Sequence, residues 1–479
     1  MSPTTRFLIG GDWVAPRGTR RRALVDPATE EVWDEVAMAD SADVACAVQA
    51  AAQALPGWAA TDPAARGALL ERLATGIEQR AGEIAAAITR EMGAPVALAR
   101  GNQIRIALQH LRTFAALARS HPFEGPLRPD APQDRILHQP IGVCALITPW
   151  NWPLNQIAQK VGAAMAAGCT VVLKPSEQAP LSAALFGRVM ADVGVPAGVF
   201  NLIQGDAEAG EALARHPGVR MVSLTGSGRA GAAVSVAAAP TVKRVVLELG
   251  GKGPNLIFAD TDVEAAVALG TAQCFANSGQ SCNAPTRMLV ERSVYARAVE
   301  IAAETARATP VGDPAQEGPH LGPLASARQF ETVQRYIRLG IDEGARLVAG
   351  GPGRPEGMTR GYFARPTVFA DVAPGMRIAR EEIFGPVLSI LPFDSEAEAI
   401  GLANDSDFGL AAYVQTGDPA RAARVARAVE CGVVVLNRSA RAPGSPFGGV
   451  KQSGNGREGG RWGLEEFLEV KAVAGWPEG

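Results

Sequence analysis

The chain has 479 residues, with 46 Lys and Arg against 49 Asp and Glu, a formal net charge of −3. At roughly 150 residues per domain this length predicts two or three domains, and 47% hydrophobic with 20% charged content excludes a disordered chain. The near-neutral balance supplies no electrostatic footprint for nucleic acid or an anionic membrane surface.

The opening MSPTTRFLIGGDWV holds no apolar run of secretory length, and the longest weakly polar stretch, 161–173, is too short to span a bilayer. Six cysteines (Cys46, Cys144, Cys169, Cys274, Cys282, Cys431) are scattered without CxxC pairs. A cytoplasmic protein with reduced thiols is therefore expected, most of them inert core residues. Asp62-Pro63 predicts a helix start, and apolar residues from Leu69 to Ile88 recur at helical spacing until Gly93 supplies a stop. The proline-rich stretch 120–140 predicts a break in regular structure and an excursion or boundary.

Short apolar strands are predicted at 142–148, 170–173, 199–203, 219–224 and 245–249, separated by Ala-rich helical patterns. That spacing implies βαβ crossovers and a largely parallel sheet. A second series at 255–258, 287–290, 387–391 and 432–436 predicts a second α/β domain, and 467–474 a terminal strand.

Several segments carry chemistry. Gly226-Ser227-Gly228-Arg229-Ala230-Gly231 fits GxGxxG after a predicted strand, which suits either a phosphate cradle at a helix N-terminus or a plain glycine-rich turn. Glu248, 17 residues after Gly231, suits a ribose contact. At 173–177 a strand ends at Pro175 and leaves Lys174 and Glu177 at the carboxyl edge of the sheet, either as ribose ligands or as an exposed ion-paired loop. Cys282 lies in the polar loop FANSGQSCN, either as a thiol that substrate can reach or as a merely structural loop residue. His110, His121, His138, His216 and His320 form no metal-ligand spacing, so no metal site is expected, and all five read as surface or capping residues. A base for Cys282 would then be a carboxylate such as Glu248, provided burial raises its pKa.

Seven motifs in order (PWNWPL at 149–154, LKPSE at 173–177, LTGS at 224–227, LELGGK at 247–252, NSGQSC at 277–282, EEIFGPV at 381–387 and SPFGGVKQSGNGREGG at 445–460) resemble the aldehyde dehydrogenase superfamily from about residue 10 to 474. The resemblance implies an α/β fold of two Rossmann-like open parallel-sheet domains with a small β oligomerisation element. Residues 1–118 and 140–249 would form the NAD-binding domain and 250–448 the catalytic domain. Residues 119–139 and 466–479 would form the oligomerisation element, and 449–465 would return to the cofactor side. Cys282 matches the nucleophile that forms a thiohemiacetal and, after hydride transfer to the nicotinamide, a thioester. Glu248 matches the general base for hydrolysis, displacing the ribose role. Asn151 matches the oxyanion-hole side chain acting with the Cys282 N–H, and Lys160 and Glu458 match proton-relay positions.

For the cofactor, the resemblance assigns Lys174 and Glu177 to the adenosine ribose and Gly226 and Ser227 to the pyrophosphate. Glu382 and Phe384 go to the nicotinamide side, and Trp150 and Leu249 to the same pocket. Glu177 would repel a 2′-phosphate and so favours NAD, with NADP as the weaker alternative because Arg229 offsets that repulsion. The aldehyde passage would be lined by Trp152, Gln156, Gln159, Ser281, Asn283, Arg441 and Phe447, with Arg438 nearby. So polar a mouth suits a semialdehyde acid or a polar aromatic aldehyde, unless the arginines face solvent or a neighbouring subunit. The expected partners are a small-molecule aldehyde and further copies of the chain, as a homodimer or homotetramer, without nucleic acid or membrane. A CoA-acylating semialdehyde dehydrogenase of the same fold is the alternative activity, and a cofactor-independent thiol hydrolase or a structural protein are remoter ones.

Overall fold

The computed structural model describes residues 3–477. Its framework is two seven-stranded sheets. The first runs in the order Arg244–Glu248, Met221–Thr225, Val143–Thr148, Thr170–Pro175, Phe200–Leu202, Phe7–Ile9 and Asp12–Val14. Its first five strands are parallel and the last two antiparallel. The second runs Arg346–Ala349, Thr367–Ala370, Val387–Phe393, Arg287–Glu291, Pro254–Ile257, Ala411–Gln415 and Val433–Leu436, parallel except for its first strand. Parallel strands need covering on both faces, and accordingly Val143–Thr148, Thr170–Pro175 and Met221–Thr225 are buried at every residue.

Helix Pro153–Ala167 is buried at every position except Asn155. Its Ala-rich sequence lets it sit flush between the first sheet and helices Pro63–Gln79 and Ile104–Ser120. The segment expected to be one helix from Pro63 to Met92 is two, Pro63–Gln79 and Ala81–Met92, broken at Arg80. Apolar periodicity continues across the break because both helices face the same core, which hides the kink from the sequence. Gly93 ends the second helix in the left-handed region, where a side chain would also meet Pro323.

Strand Thr170–Pro175 runs two residues beyond its expected end, because Pro175 at a strand terminus gives up no needed ladder donor. The proline-rich excursion does not break regular structure. It forms the hairpin Glu124–Arg128 and Ala131–Pro140, bulged between Pro126 and Arg128, and Leu468–Val473 pairs with it as a third strand. Pro126 is tolerated because its strand lies at the sheet edge. Hairpin Arg21–Val25 with Val32–Ala37 and strands Phe7–Ile9, Asp12–Val14, Arg346–Ala349, Thr367–Ala370 and Ala411–Gln415 are further elements that patterning did not single out.

Segment 449–465 returns to the first sheet. Ser453 accepts from the Leu249 N–H at 2.9 Å, and Glu248 bridges to Gly454. Among the described residues no helix is long and apolar enough to cross a membrane.

Candidate active site between the two sheets

The polypeptide from Leu249 to Gly253 carries the chain from strand Arg244–Glu248 of the first sheet to strand Pro254–Ile257 of the second. The carboxyl ends of the first sheet therefore face the amino ends of the second. Asn151, Glu177, Ser227 and Glu248 follow or end strands of the first sheet, whereas Cys282 and Phe384 precede strands Arg287–Glu291 and Val387–Phe393 of the second. The seam holds a cavity of about 800 Å³ lined by Trp150, Asn151, Gln156, Glu177, Gly226, Ser227, Leu249, Cys282, Glu382 and Phe384. A second cavity of about 630 Å³, mostly apolar, backs onto Asn277 and Ser278, but His320 is its only titratable lining group.

The Cys282 loop is held under strain. Asn277 and Ser278 sit at φ of 54° and 55°, in the left-handed region that non-glycine residues avoid. Asn277 Nδ2 donates to Asn151 O at 2.9 Å, and Ser278 Oγ donates to Gly322 O at 2.7 Å. Gly279 is obligatory, since a Cβ there would lie 2.1 Å from the Gly385 backbone. Asn151 Nδ2 donates to Gln280 O at 2.9 Å, which uses one of its two N–H groups and fixes the amide beside the thiol loop. Burial pushes the Cys282 thiol up, and the carboxyls of Glu382 and Glu248 push it further, while the N–H groups of Cys282 and Asn283 pull it down.

Glu248 is buried with no hydrogen-bond partner on either oxygen. Burial, and next the Glu458 carboxylate, hold its pKa well above the ordinary value. Lys160 lies close by, donating to Ser223 Oγ at 2.8 Å and ion-paired with Glu458. Glu382 accepts from the Gly251 N–H at 3.0 Å, and burial raises its carboxyl to about 7. Lys252, in the same segment, is buried with an unpartnered Nζ, and burial and then Arg287 lower it to about 7. Phe384 sits at φ of 58°, edge-on to Trp150 at 5.5 Å between centroids, and Gln329 Nε2 holds its carbonyl at 2.8 Å.

At the adenosine end expected from the sequence, Lys174 is turned inward. It is buried, and its Nζ donates to Gly205 O at 2.7 Å. Glu177 does line the cavity, but its carboxylate is already paired with Arg22 at 2.8 Å. Ser227 caps helix Gly228–Ala238, its Oγ accepting from the Ala230 N–H at 3.3 Å, so that helix N-terminus points into the cavity as a dipole suited to phosphate.

The residues expected around an aldehyde passage separate into two groups. Trp152 Nε1 donates to Ser281 Oγ at 2.9 Å, Asn283 O accepts from Tyr413 Oη at 2.8 Å, and Arg441 stacks over Phe447 at 5.1 Å. Gln156 and Gln159 lie elsewhere. Gln156 accepts from Thr225 Oγ1 at 3.3 Å on the floor of the large cavity, and Gln159 borders the small cavity of Lys160 and Glu458. Their helix face turns toward strand Met221–Thr225, whereas Asn155, one residue from Gln156, lies beside His110 with an unpartnered Oδ1. Arg438 is exposed.

Four groups of this region escaped sequence reading: Tyr413, His110, Asn155 and Arg22. Tyr413 is raised to about 12 by burial and then by Cys282, and His110 is lowered to about 4 by burial and then by Arg441. His110 thus stands as a neutral wall residue rather than the surface or capping histidine expected, whereas His121 is the C-cap of helix Ile104–Ser120, buried against Phe123 and His138. All six cysteines are free thiols; Cys144, Cys169 and Cys274 are buried, and Cys46, Cys282 and Cys431 are partly exposed. No cluster of metal-ligating side chains occurs among the described residues.

Comparison with known proteins agrees with this geometry. The sequence signature described as "Aldehyde dehydrogenase family" matches residues 13–473. A 3-succinoylsemialdehyde-pyridine dehydrogenase from a Pseudomonas species is 52% identical over 472 residues, covering 98% of each chain. The crystal structure of an aldehyde dehydrogenase from Bartonella henselae superposes with a TM-score of 0.98 at 48% identity, covering 99% of this chain and 100% of that one. A mutant aldehyde dehydrogenase C from Pseudomonas syringae, in complex with NAD+ and octanal, superposes with a TM-score of 0.97 at 50% identity, covering 100% of this chain and 98% of that one.

Proposed function

The chain belongs to the aldehyde dehydrogenase family, and on that premise we propose that it oxidises an aldehyde to a carboxylic acid with NAD+, using Cys282 as nucleophile and Glu248 as hydrolytic base. The observation that carries this reading is one cavity bordered by a loop thiol and a fixed amide, with the buried, unpartnered Glu248 carboxyl near enough to Cys282 to shift its thiol.

The chain's own residues fit NAD+ by shape and chemistry. The cavity is large enough for a dinucleotide, the N-terminus of helix Gly228–Ala238 would take the pyrophosphate, and Glu382 and Phe384 with Trp150 and Leu249 would hold the nicotinamide half. Glu177, with Lys174 behind it, would border the adenosine ribose. Bound NAD+ would supply the hydride acceptor.

In the first step Cys282 Sγ forms a bond to the aldehyde carbon as its proton passes to water, and the carbonyl oxygen becomes an oxyanion. The free N–H of Asn151 Nδ2 and the Cys282 N–H stabilise that charge, in a site where fixed donors do not reorganise. After oxidation the thioester is attacked by water, with Glu248 taking the water proton. A raised pKa suits this task, because a base is most effective when its pKa lies near the working pH. Lys160, Glu458 and Ser223 form the route by which that proton would leave the interior. The same carboxyl favours hydrolysis over acyl transfer to CoA. Trp152, Ser281, Asn283, Arg441 and Phe447 would wall the aldehyde passage, with Asn155, Tyr413 and His110 joining them and Gln156 and Gln159 behind.

We further read residues 1–118 and 140–249 as the cofactor domain and 250–448 as the catalytic domain. The element expected at 119–139 and 466–479, whose described part holds the sheet of Glu124–Arg128, Ala131–Pro140 and Leu468–Val473, is read as the surface on which copies assemble in the cytoplasm, as a dimer or tetramer. The test is NADH formation over aliphatic, aromatic, semialdehyde-acid and pyridine-bearing aldehydes, with Cys282→Ala in parallel. Loss of a nucleophile is expected to lower kcat/KM on the order of 10⁴-fold or more. Undiminished turnover by Cys282→Ala, or no aldehyde oxidised by folded protein that binds NAD+, would refute the reading.

A further inference from the structure

A free carboxylate at Glu177 would repel a phosphate on the ribose 2′-oxygen, yet Glu177 is not free. Arg22 Nη1 donates to Glu177 Oε1 at 2.8 Å from strand Arg21–Val25, and both residues line the large cavity. Two residues earlier, Arg20 makes a similar pair with Asp206 at 2.7 Å. Successive odd or even positions of an extended chain share a side, so the hairpin strand and the residue before it lay two guanidinium groups over three carboxylates, Glu177, Asp206 and Glu208, at the rim of the cofactor sheet.

The pair is easily exchanged. The Arg22 side chain is 43% exposed and that of Glu177 25%, and ion pairs this wet contribute little to stability. A phosphate ester offers Arg22 a doubly charged partner with geometry that a guanidinium grips through two parallel N–H bonds. The surroundings favour the exchange. Arg22, Arg229, Arg328 and Arg335 line the cavity against only two carboxylates, Glu177 and Glu382. Arg229, Arg328 and Arg335 make no ion pair among the described residues.

We propose that Arg22 is a cofactor-specificity residue, which neutralises Glu177 when NAD+ is bound and grips the 2′-phosphate when NADP+ is bound, so that the adenosine end accepts both dinucleotides. This rests on the cavity being the dinucleotide site of the proposed function.

The test is calorimetric binding of four ligands (NAD+, NADP+, AMP and 2′,5′-ADP) to the full-length protein and to Arg22→Ala and Glu177→Gln. Arg22 is on the surface, and circular dichroism checks that its variant is folded. Wild type is expected to bind NADP+ within about tenfold of NAD+, and Arg22→Ala to weaken NADP+ and 2′,5′-ADP by about tenfold or more while NAD+ and AMP move by less than about threefold, the size expected for one charge-assisted bond. Glu177→Gln is expected to shift the NADP+ to NAD+ ratio the other way. Equal weakening of all four ligands by Arg22→Ala, an unchanged ratio, or no binding of 2′-phosphorylated ligands to wild type overturns the proposal while leaving NAD+-linked aldehyde oxidation standing. Failure of wild type to bind either dinucleotide overturns the assignment of the cavity as well.

Discussion

Cys282 and Glu248 are both buried in a way that favours their neutral forms, which is the reverse of what a nucleophile and a base need at the moment of reaction. Proton traffic between them therefore governs the pH profile. Glu248 acts as a base only when ionised, and its pKa is raised, so the hydrolytic step should accelerate as pH rises through that raised value. In Glu248→Gln the limb should vanish, with turnover down about 10²–10⁴-fold and a single rapid burst of NADH preceding it. Rapid-mixing absorbance at several pH values measures both, and a variant that keeps the wild-type pH limb in steady state would remove Glu248 from the role. Much of this residue-scale chemistry was readable because the motif residues of the site stand in short uninterrupted segments. Tyr413 and Arg22 were not, since Tyr413 meets Asn283 across 130 residues and Arg22 meets Glu177 across 155.

At the scale of elements, helices are joined by buried polar groups that hydrophobic periodicity does not report. Glu91, in helix Ala81–Met92, accepts from the Leu181 N–H at 2.8 Å and from the Ser182 N–H at 3.2 Å, so it caps helix Pro180–Asp192 from outside. That satisfies N-terminal donors which the helix's own N-cap, Ala179, leaves without a side-chain acceptor. Burial raises the Glu91 carboxyl to about 8 against an ordinary 4.5. Between those values the folded chain holds a proton that the unfolded chain has released, so stability falls as pH rises through the window. Glu91→Gln cannot ionise and should lose this dependence. Melting temperatures of the two proteins from pH 5 to pH 9 measure it, and a wild-type-to-variant difference constant with pH would refute the assignment. The helix break at Arg80 and the hairpin inside the proline-rich stretch belong to the same scale. Both follow from what the segment packs or pairs against, which propensity alone does not encode.

At the scale of the whole molecule, one surface remains unfinished. Leu468–Val473 pairs with Ala131–Pro140 on one side only, and its Val470 is 67% exposed. An open strand edge invites pairing with another chain. Light scattering is expected to give two or four times the mass of one chain, and Val470→Lys, which places charge on that edge, to shift the distribution toward smaller species. A monomeric wild type would refute the assembly role of this sheet. The single continuous site between two sheets also belongs here, because the chain crosses from one sheet to the other within the five residues 249–253.

By itself the sequence determined the two α/β units, the parallel core strands and the order of motifs that bear the site. Each of these depends on local periodicity, turn chemistry or contiguous residues. Only the tertiary structure decided that Lys174 faces Gly205, that Gln159 belongs with Lys160 and Glu458, and that Arg22 neutralises Glu177. The direction in which a side chain points, and the charge it meets there, are set by which distant segments the fold brings together.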